Sequence, residues 1–348
     1  MSSLPLIELS ASALSANIQH AKKTLTNGLL MLAVKSNAYG HGDELIVRQA
    51  LEAGVDEFAV LDIETALRIR PLTPHTPLLA WLFYPGDQFA EAAEAGIELG
   101  ISALWQLDEI AALQTTTPVT IHLKIDTGLN RNGASVSEWP ALVARAAELE
   151  QDRSVKVRGI WSHLSDTSID VSKAALARLH DAVDVAKAAG VIPEITHIAA
   201  SHAAVELPEA RLNLIRLGIL AYGVSPFDDH SAEDLGFSPV LTLSAPVEKV
   251  ADNGDITLGV GCSYGLLPPV DTATISISGV DYTLTEVQPT TTTWSPVSGT
   301  ANVAVGDMVP VFGAKASVSV ERWATWCHTI GDEVLAKLGP DIPRVLTD

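Results

Sequence analysis

The stretch LLMLAVKSNAYGHG, residues 29–42, begins as an apolar run and ends in polar residues that a buried strand does not normally carry. Lys35, Asn37 and Tyr39 follow the run almost directly. One interpretation is that Lys35 only extends from the strand end into solvent, as long cationic side chains do. The other is that the strand positions Lys35 in a functional site. The rest of the sequence distinguishes between the two interpretations.

Seven further apolar runs repeat this pattern, and they are EFAVLD (57–62), PLLAWLFY (77–84), IELGIS (97–102), VTIHLKID (119–126), VKVRGIWSH (155–163), ITHIAAS (195–201) and LNLIRLG (212–218). Between them lie helix-like segments, such as 43–54, 86–96 and 171–190, whose apolar residues recur every three or four positions. Eight such strand–helix alternations predict an α/β fold, an N-terminal (β/α)8 TIM barrel. A doubly wound open sheet is the alternative. It is disfavoured because no G-x-G-x-x-G follows the first run.

The composition changes after residue 235, where Thr, Val, Ser, Gly and Pro dominate. Alternating β-branched residues with Asn-Gly and Gly-Asp turns predict a C-terminal, mostly antiparallel β domain. We therefore expect a barrel domain over residues 1–235 and a β domain over residues 236–348. The early run PLIEL, residues 5–9, fits either domain.

Composition excludes several classes of protein. The 348 residues contain 22 Lys plus Arg against 42 Asp plus Glu, a net charge of −20 that makes nucleic acid an unfavourable partner. No apolar run is long enough to span a membrane, and no secretory signal is evident, so we expect a cytoplasmic protein. Cys262 and Cys327 have no metal-ligand spacing, and we expect buried thiols and no metal.

Polar residues follow several of the predicted strands, at the barrel end where active sites of this fold lie. They are Lys35, Tyr39, Lys124, Asp126, Arg131, His163, Ser201 and Arg216. So many cations in an acidic protein predict an anionic ligand. Ser201 and the amides of Gly218 and Ile219 occupy the usual phosphate-binding position of the fold.

Each of these residues also has a structural interpretation. Lys124 and Asp126 could form a local ion pair, and His163 and His197 could be buried histidines bonded to backbone carbonyls. Arg216 lies in an apolar segment and would be expensive to bury without a partner. Together the residues indicate a phosphate-bearing ligand within reach of a lysine, and pyridoxal phosphate is the common cofactor of that kind.

Six segments share an order and spacing with a known family, and they are AVKSNAYGHG (33–42), HLKIDTGLNRNG (122–133), GIWSHLSD (159–166), HIAASHA (197–203), RLGILAYG (216–223) and GVGCSYG (259–265). They resemble the motifs of alanine racemases, and the first resembles that family's pyridoxal-lysine motif. The resemblance implies an isomerase that uses pyridoxal 5'-phosphate to interconvert L- and D-alanine by a two-base mechanism, supplying D-alanine for the cell wall. It also implies a homodimer whose active sites contain residues of both subunits.

The resemblance assigns roles to individual residues. Lys35 would bind the cofactor covalently and act as one base, and Tyr264 of the partner subunit would be the opposing base. Arg216 would donate to the pyridine nitrogen, and His163 would lie against the ring; both could supply positive charge that activates Tyr264. The phosphate would be bound by Tyr39, Ser201, Gly218 and Ile219. Arg131 would approach the cofactor's phenolic oxygen and the substrate carboxylate, positioned by Lys124, which family members often carry as a carbamate.

The β domain departs from the family pattern in three places. The segment SGVDYTL, residues 278–284, retains Asp281 but lacks the family's tyrosine, and TTTTWSP, residues 290–296 around Thr292, lacks the M-D-Q motif. Asp332 stands where the family has a tyrosine near the phosphate. In the barrel, Ala200 replaces a family asparagine. These departures leave two alternatives open: a racemase or lyase for another amino acid, and a non-enzymatic pyridoxal-phosphate-binding paralogue.

Overall fold

Eight parallel strands form one sheet in which neighbours in sequence are neighbours in space. The structure, a computed structural model, describes residues 4–113 and 115–348. After a first strand β1 (Leu6–Ser10), the eight are β2 (Leu29–Ala33), β3 (Glu57–Val60), β4 (Leu78–Ala80), β5 (Glu98–Ile101), β6 (Val119–Lys124), β7 (Val155–Trp161), β8 (Ile195–His197) and β9 (Leu214–Leu217). Each lies within one of the predicted apolar runs, which confirms the predicted TIM barrel.

Pairing at the two ends of this sheet brings it round into a barrel. Strand β9 pairs in parallel with β2, so that Leu29 lies opposite Leu214. On the other side, the Arg216 N–H donates to the carbonyl of Ala199, just after β8, at 3.0 Å. The strands are almost wholly apolar because both faces are covered, by helices outside and by side chains such as Met31 and Ala59 inside.

The helices lie at Ala11–Thr24, Asp43–Glu52, Ile63–Ile69, Phe89–Glu94, Leu104–Ala112, Trp139–Gln151, Ile169–Ala188, Ser201–Glu206, Val320–Trp326 and Gly331–Ala336. Short 3-10 turns occupy Arg70–Leu72, Pro208–Ala210, Ile219–Tyr222, Glu233–Leu235 and Cys262–Tyr264. Side-chain hydrogen bonds cap the N-termini of several helices. For example, Asp62 Oδ1 accepts from the N–H of Thr65 at 2.7 Å. Across residues 4–113 and 115–348, no helix has both the length and the apolar character that crossing a membrane requires.

A second sheet contains β1 and the strands after residue 240, which are β10 (Leu241–Val250), β11 (Ile256–Leu258), β12 (Thr274–Ile277), β13 (Val280–Val287), β14 (Thr292–Pro296), β15 (Met308–Gly313) and β16 (Arg344–Thr347). Its order is β12-β13-β14-β11-β10-β1-β16, and β15 also pairs with β10. All of its ladders are antiparallel except that between β1 and β16. The early run PLIEL, whose domain the sequence left open, therefore joins the β sheet.

The residues after Lys35 form a left-handed turn. Ser36, Asn37, Ala38 and Tyr39 all have φ between 51° and 54°, a conformation that costs non-glycine residues about 1–2 kcal/mol each. Gly40 continues the turn at φ 75°, and a β-carbon there would overlap the carbonyl oxygen of Leu335.

Side-chain hydrogen bonds hold this turn in place. The Nδ1–H of His41 donates to the carbonyls of Ala38 and Tyr39 at 3.0 and 2.9 Å. The Nε–H of Arg344 donates to the carbonyl of Gly40 at 2.8 Å. The strained segment therefore has its carbonyl groups satisfied.

The described chain divides into two compact units. The barrel unit comprises Ile18–Lys35 and Ala50–Gly218, and the β unit comprises residues up to Asn17, Ser36–Gln49 and Ile219–Asp348. The boundary at 235 stays a prediction.

Candidate active site

Arg216 is the central cation of the barrel unit. It lies on β9 with 7% of its surface exposed. One terminal nitrogen donates to the carbonyls of Ser162 and Ile198 and to His163 Nδ1, at 2.9, 3.1 and 3.1 Å. The other donates to His197 Nδ1 at 2.9 Å. Burial lowers the pKa of Arg216 to about 9, so it remains charged at pH 7.

The partners of Arg216 are neutral groups. Within the described residues, no carboxylate forms an ion pair with its guanidinium, and its Nε–H donates no hydrogen bond there. A buried guanidinium of this kind is stabilised when a ligand supplies an acceptor. This arrangement is the main reason to regard this end of the barrel as a binding site.

His163 is neutral in this environment. Burial lowers its pKa well below the usual range, and the charges of Arg216, Arg131, Lys124 and Lys35 lower it further. The hydrogen bond from Arg216 agrees, because arginine only donates and Nδ1 of His163 must therefore be unprotonated. This corrects one expectation from the sequence, since His163 does not supply positive charge to a tyrosine near pH 7.

Lys124 lies at the end of β6 against an indole ring. Its Nζ is 4.3 Å from the centre of the Trp161 ring, and the guanidinium carbon of Arg216 is 4.9 Å from the same centre. Burial, then the charges of Arg216 and Arg131, lower the pKa of Lys124 to about 7. Among the described residues Lys124 forms no ion pair with Asp126, which instead accepts from the N–H of Gly128 at 2.8 Å.

The other predicted residues of the barrel unit belong to the same region. Lys35, directly after β2, is close enough for its charge to act on His163, and Arg131 acts on both His163 and Lys124. The N–H of Gly218 donates to Ser201 Oγ at 3.1 Å. The ends of β2, β6, β7, β8 and β9 thus bring together the residues that the sequence singled out.

A buried polar chain that sequence reasoning missed extends from Arg216 into the barrel. His197 Nε2 lies 3.0 Å from His122 Nδ1, and His122 Nε2 lies 2.8 Å from Glu98 Oε2. Glu98 also accepts from Arg158 at 2.7 Å, and Arg158 in turn binds Glu57. The signal was present in the sequence, because β3, β5, β6 and β7 each carry a charged residue or a histidine inside an apolar run.

Glu57 and Glu98, the two carboxylates at the end of this hydrogen-bond chain, differ in pKa. Burial raises the pKa of Glu57 overall, despite its bonds to Arg158. For Glu98, burial acts in the same direction. The hydrogen bond from His122 and the charge of Arg158 outweigh it, so the pKa of Glu98 lies below its usual value. Glu98 is therefore the more firmly ionised of the two.

Three predicted residues lie in the β unit. Tyr39 is 5% exposed at the end of the left-handed turn, and burial, together with the charge of Asp332, raises its pKa. Ile219 begins the turn Ile219–Tyr222, and Tyr264 ends the turn Cys262–Tyr264, where its side chain is partly exposed.

The departures from the family pattern have structural roles of their own in the β unit. Thr292 is fully buried, and its Oγ1 accepts from the indole N–H of Trp294 at 2.9 Å. Tyr282, the tyrosine nearest to Asp281, is fully buried as well, and its hydroxyl accepts from the N–H of Ala301 at 2.9 Å. Tyr282 is therefore a buried structural residue of the β unit.

The donors of the barrel unit suit pyridoxal phosphate. An amine at Lys35, an uncommitted Nε–H at Arg216 and the hydroxyl of Ser201 match an aldehyde, a ring nitrogen and a phosphate, respectively. The surplus of positive charge here suits the anionic groups of the cofactor.

Comparison with known proteins relates both units to one family. The family model described as "Alanine racemase, N-terminal domain" matches residues 9–226. An alanine racemase of Thermobifida fusca is 33% identical over 376 aligned positions, covering 100% of this chain and 99% of the relative. An alanine racemase of Streptomyces coelicolor is 32% identical, covering 97% and 94%.

Solved structures give the same result. The alanine racemase of a D-cycloserine-producing Streptomyces lavendulae superposes with a TM-score of 0.93 at 28% identity, covering 100% of this chain and 98% of that one. The Streptomyces coelicolor enzyme superposes with a TM-score of 0.92, also at 28% identity, covering 99% and 98%.

Proposed function

The chain belongs to the alanine racemase family, and from this premise we propose that it is an amino-acid racemase that interconverts L- and D-alanine. The observation that carries the proposal is Arg216, a buried guanidinium without a carboxylate partner in the described chain, at the same barrel end as Lys35. That pair suits a ligand with both a carbonyl carbon and a hydrogen-bond acceptor.

We propose pyridoxal phosphate as the cofactor. When bound, it withdraws electrons from the amino acid and so acidifies the α-proton. Lys35 would hold it covalently, Arg216 would donate through Nε–H to the ring nitrogen, and His163 would contact the ring. Arginine practically never gives up its proton, so Arg216 leaves that nitrogen unprotonated and disfavours competing transamination. The family resemblance assigns the phosphate to Ser201, Gly218, Ile219 and Tyr39.

Two bases are needed because the proton leaves one face of the α-carbon and returns on the other. We assign one face to Lys35 and the other to Tyr264 of the partner subunit, and the active enzyme is then a homodimer. With His163 neutral, Arg216 is the member of that pair that remains charged near pH 7.

Arg131 is assigned to the substrate carboxylate, and Lys124 to positioning Arg131. The low pKa of Lys124 leaves much of its amine neutral near pH 7, and a neutral amine is the form that takes up carbon dioxide as a carbamate. Lys124, Arg131 and Arg216 are three neighbouring cations. A carbamate would convert Lys124 into an anion beside the two arginines. In a cell, we place the enzyme in the cytoplasm, where it supplies D-alanine to the cell wall.

A different amino-acid substrate is the second candidate, and the β unit supplies the observation in its favour. Thr292 and Tyr282 lie in the two segments that depart from the family pattern, and both are committed to internal hydrogen bonds. A changed substrate pocket would follow from these differences.

The test is exchange of the α-proton in heavy water, followed by NMR with alanine first and then each other amino acid. Loss of the alanine α-proton with appearance of the opposite enantiomer supports the proposal, whereas exchange of another amino acid alone favours the second candidate. Tyr264→Phe should retain the cofactor and lose turnover, while Tyr84→Phe, at a 66% exposed tyrosine, should change neither. Bound cofactor without exchange of any amino acid would refute both candidates.

A further inference from the structure

The hydrogen-bond chain inside the barrel has a direction that follows from the chemistry of its members. Arginine donates and does not accept, so Nδ1 of His197, 2.9 Å from Arg216, must be unprotonated. The ring proton of His197 is therefore on Nε2, from which it donates to His122 Nδ1 at 3.0 Å.

The same reasoning applies to the next ring. Because Nδ1 of His122 accepts, its proton is on Nε2, 2.8 Å from the carboxylate of Glu98. Glu98 accepts again from Arg158 at 2.7 Å. Every bond thus points from Arg216 towards Glu98. Reversing the bond between His197 and His122, or that between His122 and Glu98, would leave one imidazole with both nitrogens accepting and no proton.

The backbone makes room for this chain at one position. His122 on β6 lies beside Gly159 on β7. A β-carbon at Gly159 would overlap Nδ1 of His122 and lie 2.7 Å from its Cε1. His122 and His197 are both fully buried, so neither ring can satisfy its nitrogens with water.

We propose that His122 and Glu98 are positioning residues for the reaction: they hold His197 in the one tautomer that accepts from Arg216, and so aim the Nε–H of Arg216 at the cofactor ring nitrogen. The proposal rests on the proposed function for its catalytic part. The tautomers themselves are a property of the protein and are measurable without turnover.

The first experiment is ¹⁵N NMR of the full-length, cofactor-loaded protein labelled at histidine, with assignments from His122→Asn and His197→Gln. Protonated and unprotonated imidazole nitrogens resonate far apart. We expect the proton on Nε2 and none on Nδ1 in both rings at pH 7. A proton on Nδ1 of either ring would overturn the proposal whether or not the protein racemises alanine.

The second experiment compares two substitutions of His122. His122→Leu removes the acceptor for His197. We expect kcat to fall roughly ten- to hundredfold, as it does for other residues that orient a site residue through a hydrogen bond. In His122→Asn the Oδ1 replaces Nδ1 as acceptor, so we expect it to recover most of kcat. A structural role in the core would favour leucine over asparagine, so equal or reversed kcat values refute the proposal.

Glu98→Gln tests the far end of the chain, because it retains the shape and removes the charge that anchors the His122 proton. We expect the pH profile of kcat/KM to shift while the unfolding midpoint changes little. An unchanged profile, together with an unchanged His122 tautomer, would show that Glu98 has no positioning role. Failure of the wild type to racemise alanine would instead refute the proposed function and leave the tautomer measurement standing.

Discussion

Nζ of Lys124 lies 4.3 Å from the centre of the Trp161 indole ring. The Trp161 ring also stacks on His197, with their centres 5.4 Å apart and their planes within 5°. A lysine, an arginine and a neutral histidine therefore surround one buried indole. Attraction to the ring compensates for only part of the repulsion between the two cations.

Lys124→Met should stabilise the protein, and more so at low pH. The pKa of Lys124 falls from near 10.4 in the unfolded chain to about 7 in the folded protein. Between these values the unfolded chain binds a proton that the folded one lacks, so the cost of burying Lys124 declines as pH rises. We expect a gain on the order of 4 kcal/mol at pH 7 that falls below about 1 kcal/mol by pH 10, measured by urea unfolding in carbonate-free buffer. The exposed Lys173→Met is the control, and an equal gain at both pH values would contradict the pKa assignment.

Gly40→Ala should destabilise the protein by about 3 kcal/mol or more, because the new β-carbon meets both a left-handed conformation and the Leu335 carbonyl. Gly86 has a similarly positive φ of 89°, with nothing within 4 Å of an added β-carbon. Gly86→Ala should therefore cost only about 1 kcal/mol. Equal costs in urea unfolding would show that Gly40 is required for its conformation alone.

Asp332→Asn should tighten the binding of pyridoxal phosphate roughly fivefold. The carboxylate of Asp332 is near enough to Tyr39, the proposed phosphate ligand, to raise its pKa, and it should repel a phosphate dianion as well. The dissociation constant is measured by fluorescence titration of the cofactor-free protein. Glu333→Gln removes the same charge from an exposed neighbour, and similar gains in both variants would indicate a general charge effect.

Arg158→Met should destabilise the protein by about 3–5 kcal/mol at pH 7, because it leaves Glu57 and Glu98 buried without their shared cation. The loss should shrink towards pH 5, where the stranded carboxylates can protonate. Chemical unfolding at both pH values tests this, with the exposed Arg48→Met as control. A loss that is constant with pH would show that packing, and not charge, is responsible.

The barrel could be predicted from sequence because its strands are buried on both faces and read as apolar runs. The residues at the strand ends could be predicted for the same reason, since Lys35 and Arg216 stand out against those runs. Arg131 and Gly218 could be predicted because they follow predicted strands at the end of the barrel where active sites of this fold lie. Family motifs then gave each of them a role.

Other features could not be read from sequence. The left-handed turn at Ser36–Tyr39 contradicts local propensity, and only the bonds from His41 and Arg344 explain it. The neutral state of His163 depends on cations that are distant in sequence. The His122–Glu98 chain required knowing which strands are neighbours, because its residues come from four separate strands.

Strand β1 pairs with β10 on one side and β16 on the other. During synthesis on the ribosome, β1 is made more than two hundred residues before β10 and more than three hundred before β16. Both edges of β1 therefore lack their partner strands while the whole barrel is translated. A ribosome that stalls after the barrel would leave this strand as an unprotected edge, exposed to pairing with other chains.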